Sequence, residues 1–135
     1  MEKINPFLTL NGNADQAMQF YASSLPDSKI IKTVRFADGH PFSGPDEKDK
    51  ILFGLMSIMG REIMFMDMDK AHPAPEFSWS ASLYINCETE AEFDAIFAVL
   101  SNGGTVMMGP EPVAHLRKCA WVTDKFGVTW QPVWA

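Results

Sequence analysis

The fold is decided by a stretch near the end of the chain, residues 118–133, which reads KCAWVTDKFGVTWQPV. Two runs rich in β-forming residues, Lys118–Thr123 and Val128–Val133, flank the tetrapeptide Asp124–Gly127. Glycine at the last position of this tetrapeptide supplies the left-handed backbone that a hairpin turn needs. The stretch therefore predicts two antiparallel strands.

A helix is predicted upstream of this hairpin, between two further strands. Thr89-Glu90-Ala91-Glu92 has the pattern of a capping box, and Asn102-Gly103-Gly104 is typical of a helix C-terminus. The helix has an apolar stripe formed by Phe93, Ile96, Phe97 and Leu100. With strands predicted at Phe77–Cys87 and Thr105–Met108, this half reads strand, helix, three strands.

The first half of the chain predicts the same order. Ile4–Leu10 contains Pro6, which suits a strand start or an edge strand. An apolar stripe then runs from Ala14 to Leu25 at helical spacing until Pro26 ends it. Three strands are predicted after it, at Lys29–Phe36, Ile51–Met59 and Ile63–Asp67. The class is therefore α+β, with two βαβββ modules. We expect one domain over residues 1–135, with module one at about 1–69 and module two at about 76–135.

Composition narrows the range of partners. The 135 residues carry a net charge of −6, which disfavours phosphate backbones and anionic lipid, so neither nucleic acid nor a membrane is expected as partner. No apolar stretch approaches the roughly 20 residues of a spanning helix, and no basic-then-apolar segment opens the chain. We therefore expect a cytoplasmic protein.

Two local features are predicted to be chemically inert. Cys87 and Cys119 are too few for a disulfide framework and lack CxxC spacing, so both are expected to be buried, reduced thiols. The mixed-charge run 46–50, beside Pro45, is typical of a solvated loop and is assigned no role.

Five blocks of sequence resemble a known family. They are Pro6-Phe7-Leu8, Asn11-Gly12-Asn13-Ala14, Phe20-Tyr21, Ile85-Asn86-Cys87-Glu88-Thr89 and the closing block Trp121–Gln131. Together they resemble the PhnB-like family, also labelled 3-demethylubiquinone 3-methyltransferase-like. This family lies within the vicinal oxygen chelate superfamily of glyoxalases, bleomycin-resistance proteins and extradiol dioxygenases. The resemblance implies paired βαβββ modules with curved mixed sheets, a cavity on the concave side of each sheet, and a homodimer.

The resemblance also defines where a metal would bind. Metal-using members of the superfamily take His, Glu or Gln ligands from the first and last strands of each module. The matching positions here are Asn5–Phe7, Met64–Met66, Ser80 and Gln131, of which only Gln131 keeps a suitable donor. Asp67 would serve only if the strand register slipped by one residue. We expect neither a metal nor another cofactor.

A ligand-binding surface is predicted on the concave side, with a polar floor and apolar walls. Strand alternation and the resemblance give its candidate residues: Phe7, Met64, Met66, Ser80, Ser82, Tyr84, Trp121 and Gln131. Trp79 and Trp121 are read either as an aromatic wall or as core, and Trp130 as core. The methionines are read either as an adaptable pocket or as core filling.

The function predicted from the sequence is binding of a small organic molecule of unknown identity. No nucleophile motif, diagnostic carboxylate pair or phosphate loop is present, and no catalytic residue is assigned. One alternative is a lyase, isomerase or transferase of the same fold acting on a small metabolite, either with an altered metal set or with Gln131, Asp67, Tyr84 or His115 as acid or base. In that case Gly109–Ala114 is read as a flexible segment over the cavity mouth. Another alternative is a subunit whose role is protein interaction. A conventional methyltransferase is not expected, because the chain lacks the Gly-rich nucleotide-binding sheet.

Overall fold

The structure is a computed structural model that describes residues 2–39 and 46–135. His40, which the neighbouring Gly39 and Pro41 predict to lie in a surface loop, is outside the described residues. The chain divides into two compact units, Met1–Pro75 and Glu76–Ala135. That the two units act as one domain stays a prediction.

The first unit is a four-stranded sheet with one helix. Its elements are β1 (Phe7–Leu10), α1 (Ala14–Ser24), β2 (Ser28–Arg35), β3 (Ile51–Ile58) and β4 (Arg61–Asp67). The strand order is β1-β4-β3-β2, with β1 parallel to β4 and the other pairs antiparallel. The strand that contains the residues after Pro6 therefore lies at a sheet edge, as predicted.

The second unit repeats this arrangement. Its elements are β5 (Leu83–Cys87), α2 (Glu90–Ser101), β6 (Thr105–Val113), β7 (Leu116–Thr123) and β8 (Thr129–Trp134). The strand order is β5-β8-β7-β6, with β5 parallel to β8. Two helices and eight strands in two mixed sheets confirm the α+β class with two βαβββ modules among the described residues.

Each helix covers one face of its own sheet. In the first unit the ring of Tyr21 on α1 lies 6.1 Å from that of Phe65 on β4. Gly54 on β3 allows the close approach, because a Cβ atom there would lie 2.6 Å from the sulfur of Met18. Residues on the helix-covered face of β3 and β4 are buried and those between them are half-buried. We call the face of each sheet opposite its helix the open face.

The buried carboxylate of Asp67 joins three elements of the first unit. Its Oδ1 accepts hydrogen bonds from the backbone N–H groups of Gly12 (2.8 Å) and Ala14 (3.0 Å), and its Oδ2 accepts from that of Ile51 (2.9 Å). Asn13, the N-cap residue of α1, makes no side-chain cap, so Asp67 takes that role from the end of β4. Asp67 faces α1 and not the open face, which corrects its assignment as a possible ligand or acid.

Asp124 has an equivalent role in the β7–β8 hairpin. Its Oδ1 accepts from the N–H groups of Phe126 (2.8 Å) and Val128 (3.1 Å), and its Oδ2 accepts from the indole Nε1 of Trp130 (2.8 Å). Gly127 takes a positive φ of 89° in this turn, as predicted. Trp130 is 1% exposed, which confirms its assignment to the core.

The capping box of α2 is formed with a shift of one residue. The Thr89 hydroxyl accepts from the N–H of Glu92 at 3.1 Å, as a capping box requires. The Glu92 carboxylate, however, accepts from the N–H of Glu88 at 3.2 Å and not from that of Thr89. The predicted start of the helix is confirmed. The Glu92 carboxylate also satisfies the backbone N–H of Glu88, which lies before the helix.

The mixed-charge run at residues 46–50 is not simply a solvated loop. Glu47 is buried and accepts hydrogen bonds from Lys50 Nζ (2.9 Å) and from the backbone N–H of Lys70 (2.8 Å). The hydrogen bond from Lys50 is the main reason that the pKa of Glu47 is lowered. The run therefore joins the start of β3 to the segment after β4, a long-range contact that local charge patterning does not reveal.

No helix among the described residues is long and apolar enough to cross a membrane.

The substitution Asp67→Asn should destabilise the protein. An amide supplies one oxygen for three N–H donors and places its own N–H₂ group against one of them, so the free energy of unfolding should fall by roughly 2–4 kcal/mol. Urea unfolding measures this loss. The matched control is Asp49→Asn, because the side chain of Asp49 is exposed and its substitution should change stability by less than about 0.5 kcal/mol. Equal stability of the two variants would contradict the role of Asp67.

Candidate functional site

The open face of the second sheet brings three predicted residues together. Tyr84 on β5 is in register with Gln131 on β8. The register that pairs Cys119 with Val133 and Val122 with Trp130 places Trp121 on β7 opposite Gln131. Tyr84, Gln131 and Trp121 therefore form one row across three neighbouring strands.

This row is partly accessible and mixes aromatic with polar groups. Tyr84 is 53% exposed, whereas Trp121 and Gln131 are half-buried. The Gln131 amide makes a long contact, 3.8 Å from its Nε2 to the sulfur of Cys119. The indole Nε1 of Trp121 is buried and has no hydrogen-bond partner among the described residues.

Trp79 extends the row from the segment before β5. Its ring lies 5.6 Å from that of Trp121, in an edge-to-face arrangement with an interplanar angle of 80°. Trp79 is 60% exposed, so the core reading is wrong for this residue, and its role in an aromatic wall stays a prediction. The sequence analysis left it out of the candidate set because aromatic residues at uncertain strand positions are more often core.

The open face also contains residues that the sequence analysis missed. Asn86 follows Tyr84 by two residues on β5, and Thr123 and Thr129 pair across β7 and β8 with a hydroxyl separation of 2.8 Å. The period of two that selected Tyr84 also selects Asn86. Cys119 lies on this face beside Gln131, a position that can be read only once the register is known.

Ser80 and Ser82 do not belong to this row. β5 begins at Leu83 and not at Phe77, so both serines precede the strand and are exposed. The Ser78 hydroxyl accepts from the N–H of Ser80 at 3.1 Å, and such local side-chain bonds compete with strand formation. The alternation on which their assignment depended is therefore absent from this segment.

The open face of the first sheet holds the other three candidates. Phe7 on β1 is in register with Met64 on β4, and Met66 is in register with Thr9 two residues further along the same strands. Phe7 is exposed, and both methionines are half-buried. These methionines face away from the core, whereas Met18 and Met56 are fully buried core residues. A ligand-binding role for Phe7, Met64 and Met66 stays a prediction.

The segment Gly109–Ala114 is not a flexible cover. Residues up to Val113 belong to β6, which pairs with β7 as far as Val113 opposite Leu116. His115 lies in the tight turn between these strands and is exposed. His115 therefore does not follow a flexible cover, and its role as a base stays a prediction. His72 is also exposed and lies 2.9 Å from Asp69 in a surface turn.

A small cavity of about 190 Å³ lies elsewhere. It is lined by Glu2, Gly60, Arg61 and Glu62, at the turn between β3 and β4. None of the eight predicted ligand residues lines it. The Arg61 guanidinium donates a hydrogen bond to the carbonyl oxygen of Ile4 at 2.6 Å, and this bond holds the N-terminal segment against the β3–β4 turn.

The positions that match the ligands of metal-using vicinal oxygen chelate proteins do not fit a divalent ion here. The first sheet offers the ring of Phe7 and the thioethers of Met64 and Met66, which are poor donors for hard or borderline ions. Residues 2–39 and 46–135 contain no group of three His, Cys, Asp or Glu side chains placed to hold a metal. Gln131 is one suitable donor, and one donor does not make a site.

Both cysteines are free and buried, as predicted. Cys87 lies on the helix-covered face of β5, and burial raises the pKa of its thiol to about 11. A thiol with this pKa remains protonated at neutral pH and is a poor nucleophile. Cys87 is therefore a packing residue.

The raised pKa of Cys87 predicts a pH dependence of stability. The unfolded thiol ionises near its usual value of about 9, whereas the folded thiol ionises near 11, so the folded state is penalised as the pH rises between these values. The free energy of unfolding should fall over this range, and it should fall less in Cys87→Ala, which lacks the titrating group. Urea unfolding at several pH values compares the two slopes; equal slopes would contradict the assignment.

The family of the chain follows from comparison with known proteins. A family profile described as 3-demethylubiquinone-9 3-methyltransferase matches residues 2–133, almost the whole chain. The chain belongs to this family. The PhnB-like resemblance of the sequence blocks is thereby confirmed.

Individual relatives agree with this membership. The PhnB protein from Bacillus cereus is 33% identical, with a TM-score of 0.84 and coverage of 99% of this chain and 100% of that one. Protein PA1353 from Pseudomonas aeruginosa is 28% identical, with a TM-score of 0.86 and coverage of 99% and 98%. Protein YjdN from Escherichia coli K12 is 25% identical over 94% of this chain and 91% of its own.

More distant structures share the fold alone. A glyoxylase/bleomycin resistance protein/dioxygenase domain from Frankia sp. EAN1pec is 15% identical, with a TM-score of 0.68 and coverage of 100% of this chain and 98% of that one. The family therefore has the glyoxalase/bleomycin-resistance fold, as the resemblance implied.

Proposed function

We propose that this protein binds a small organic molecule on the open face of its second sheet, without a metal ion. The observation that supports the proposal is the row formed by Tyr84, Gln131 and Trp121, which combines an exposed phenol, an amide and a half-buried indole. Small-molecule sites usually combine apolar and aromatic walls with a few polar groups of this kind.

Polar groups in this row remain available to a ligand. The Gln131 amide, with its contact to the Cys119 sulfur, keeps hydrogen-bonding capacity for an incoming molecule. The Tyr84 hydroxyl belongs to a side chain that is more than half exposed. These groups would fix the orientation of a ligand whose apolar part lies against the indoles.

Binding is proposed in preference to catalysis because of the residue types in this row. Glu111 on the edge strand β6 is in register with Cys119 but is exposed. The open-face positions of β5, β7 and β8 around the row are Tyr84, Asn86, Cys119, Trp121, Thr123, Thr129, Gln131 and Val133. They include no carboxylate and no imidazole, the groups that most often transfer protons in enzymes. Asp67 and His115, the other groups considered as acid or base, lie on the helix side of the first sheet and in a surface turn.

Methyl transfer, the activity in the family's description, fits this fold less well. Conventional S-adenosylmethionine-dependent enzymes bind their nucleotide on an open, mainly parallel sheet with a Gly-rich first turn. Both sheets here are mixed, and each carries one helix. Small-molecule binding requires only the open face.

The uncharged aromatic probe N-phenylnaphthylamine, which becomes more fluorescent in an apolar site, should bind saturably with one site per chain. Tyr84→Ala and Gln131→Ala should each raise its dissociation constant by roughly five- to thirtyfold, the effect of losing about 1–2 kcal/mol of contact. Fluorescence titration gives the constants, and urea unfolding establishes that the variants are folded.

Two controls define this experiment. Trp134→Phe should leave the dissociation constant unchanged, because Trp134 is in register with Cys87 and Lys118 on the helix-covered side. Chelation of divalent ions should also have no effect. The proposal is wrong if binding is not saturable, if neither alanine variant weakens it, or if it requires a divalent ion.

We also propose that the protein forms a homodimer through the edge strand β6. In its sheet β6 pairs with β7 alone, which leaves one edge without a strand partner in that sheet. Its side chains Val106, Met107 and Val113 are 43%, 38% and 40% exposed. A strand edge with exposed apolar side chains favours pairing with a second copy.

Sedimentation velocity tests this assembly. Wild-type protein should sediment as a dimer, and the double substitution Met107→Lys/Val113→Lys should shift it to monomer, since lysines on an edge strand oppose association. The control Ile31→Lys places the same charge on an exposed position of the other sheet's edge strand β2. A monomeric wild type, or a dimer that only Ile31→Lys disrupts, would refute β6 as the interface.

A further inference from the structure

The indole of Trp121 has an unsatisfied donor at the proposed binding face. Its Nε1 is buried and has no hydrogen-bond partner among the described residues. Buried indole N–H groups usually find an acceptor, because an unpaired donor loses the hydrogen bond that it makes with water. This donor therefore calls for an acceptor that the described part of the chain does not supply.

Trp130 on the same hairpin provides an internal comparison. It lies on the opposite face, and its Nε1 donates to Asp124 Oδ2 at 2.8 Å. One turn thus supplies a carboxylate to the indole on the helix-covered face, while the indole on the open face has none. The difference points to a ligand at Trp121.

The surroundings of Trp121 indicate the shape of that ligand. Tyr84 and Trp121 are on strands on either side of β8, so their backbones are separated by two strand spacings, roughly 9–10 Å. Gln131 lies between them, and the exposed ring of Trp79 meets Trp121 edge-on. A flat ring placed over Gln131 would contact aromatic side chains on two sides.

The residue types indicate that the ligand is uncharged. On β5, β7 and β8, none of the open-face positions directly beside Gln131 is Asp, Glu, Lys or Arg. The charged residues further along this face, Glu111 opposite Cys119 and Arg117 two residues before it, are exposed. An ion placed on this half-buried surface would lose hydration without gaining a charged partner. A neutral acceptor, such as a ring nitrogen or a carbonyl oxygen, avoids that cost.

We infer that the open face of the second sheet takes an uncharged, planar aromatic molecule whose ring nitrogen or carbonyl oxygen accepts the Trp121 Nε1–H. The ring lies over Gln131, between Tyr84 and the Trp79–Trp121 pair. The inference rests on the proposed small-molecule binding and adds the chemical class of the ligand.

Quinoline and naphthalene form a matched pair of probes, since they differ by one ring nitrogen in place of a C–H group. Quinoline should bind about tenfold more tightly, which is the effect of satisfying one buried donor. In proton–nitrogen correlation spectra of ¹⁵N-labelled protein, the Trp121 indole N–H signal should move downfield with quinoline and much less with naphthalene. Trp121→Phe identifies this signal among the four indoles.

The same variant tests the role of the donor. Trp121→Phe keeps an aromatic ring and lacks the N–H, so the ratio of the two dissociation constants should fall from about ten to about one, whatever contact area the smaller ring loses with both probes. Trp79→Phe should keep the preference. The wild-type spectra compare the two probes on the unaltered protein, and Trp121→Phe is needed there only to assign the signal.

Three results would overturn the inference. The first is equal affinity for the two probes, the second is a preference that survives in Trp121→Phe, and the third is no binding of either probe. If N-phenylnaphthylamine still binds in a manner that depends on Tyr84 and Gln131, the proposed function stands and only the ligand class is wrong. If that probe also fails to bind, both are wrong.

Discussion

The buried carboxylate of Asp67 is the interaction on which the first unit depends. Three backbone N–H groups converge on it from the start of α1, the turn before α1 and the start of β3. A helix N-terminus has unpaired donors and a partial positive charge, so a carboxylate placed there both satisfies and neutralises it. Because the carboxylate comes from the end of β4, the same contact fixes the helix against one particular face of the sheet. In the second unit Asp124 fixes the β7–β8 turn and the Trp130 indole in a similar way.

Fixing a helix to one face of each sheet determines where chemistry can take place. Side chains alternate along a strand, so every second residue faces the helix and the others face away. The residues of the closing block, Trp121–Gln131, lie on both faces of the sheet. Asp124, Gly127 and Trp130 build the turn and the core, whereas Trp121 and Gln131 lie on the open face. The block that identifies the family therefore combines structural residues with the residues of the proposed site.

Local signals in the sequence were sufficient to predict most helices and strands. They did not reveal the long-range contacts. Glycine in the Asp124–Gly127 turn and threonine at the start of α2 act through neighbouring backbone groups, so their roles could be predicted. Asp67 and Glu47 act on groups 16 to 55 residues away, and no local pattern reveals such partners. The row of Tyr84, Trp121 and Gln131 could be predicted from alternation, but Ser80 and Ser82 could not be excluded. Their hydroxyl-rich segment forms a local turn in place of the expected strand.

The most direct test of the central claim, that a small organic molecule binds the open face of the second sheet without a metal, is a crystal structure of the protein with N-phenylnaphthylamine. The account predicts density for the probe over Gln131, flanked by Tyr84 and Trp121, with no metal ion beside it. Density for the probe at the Glu2–Arg61 cavity instead, or a divalent ion coordinated by Gln131, would contradict the account.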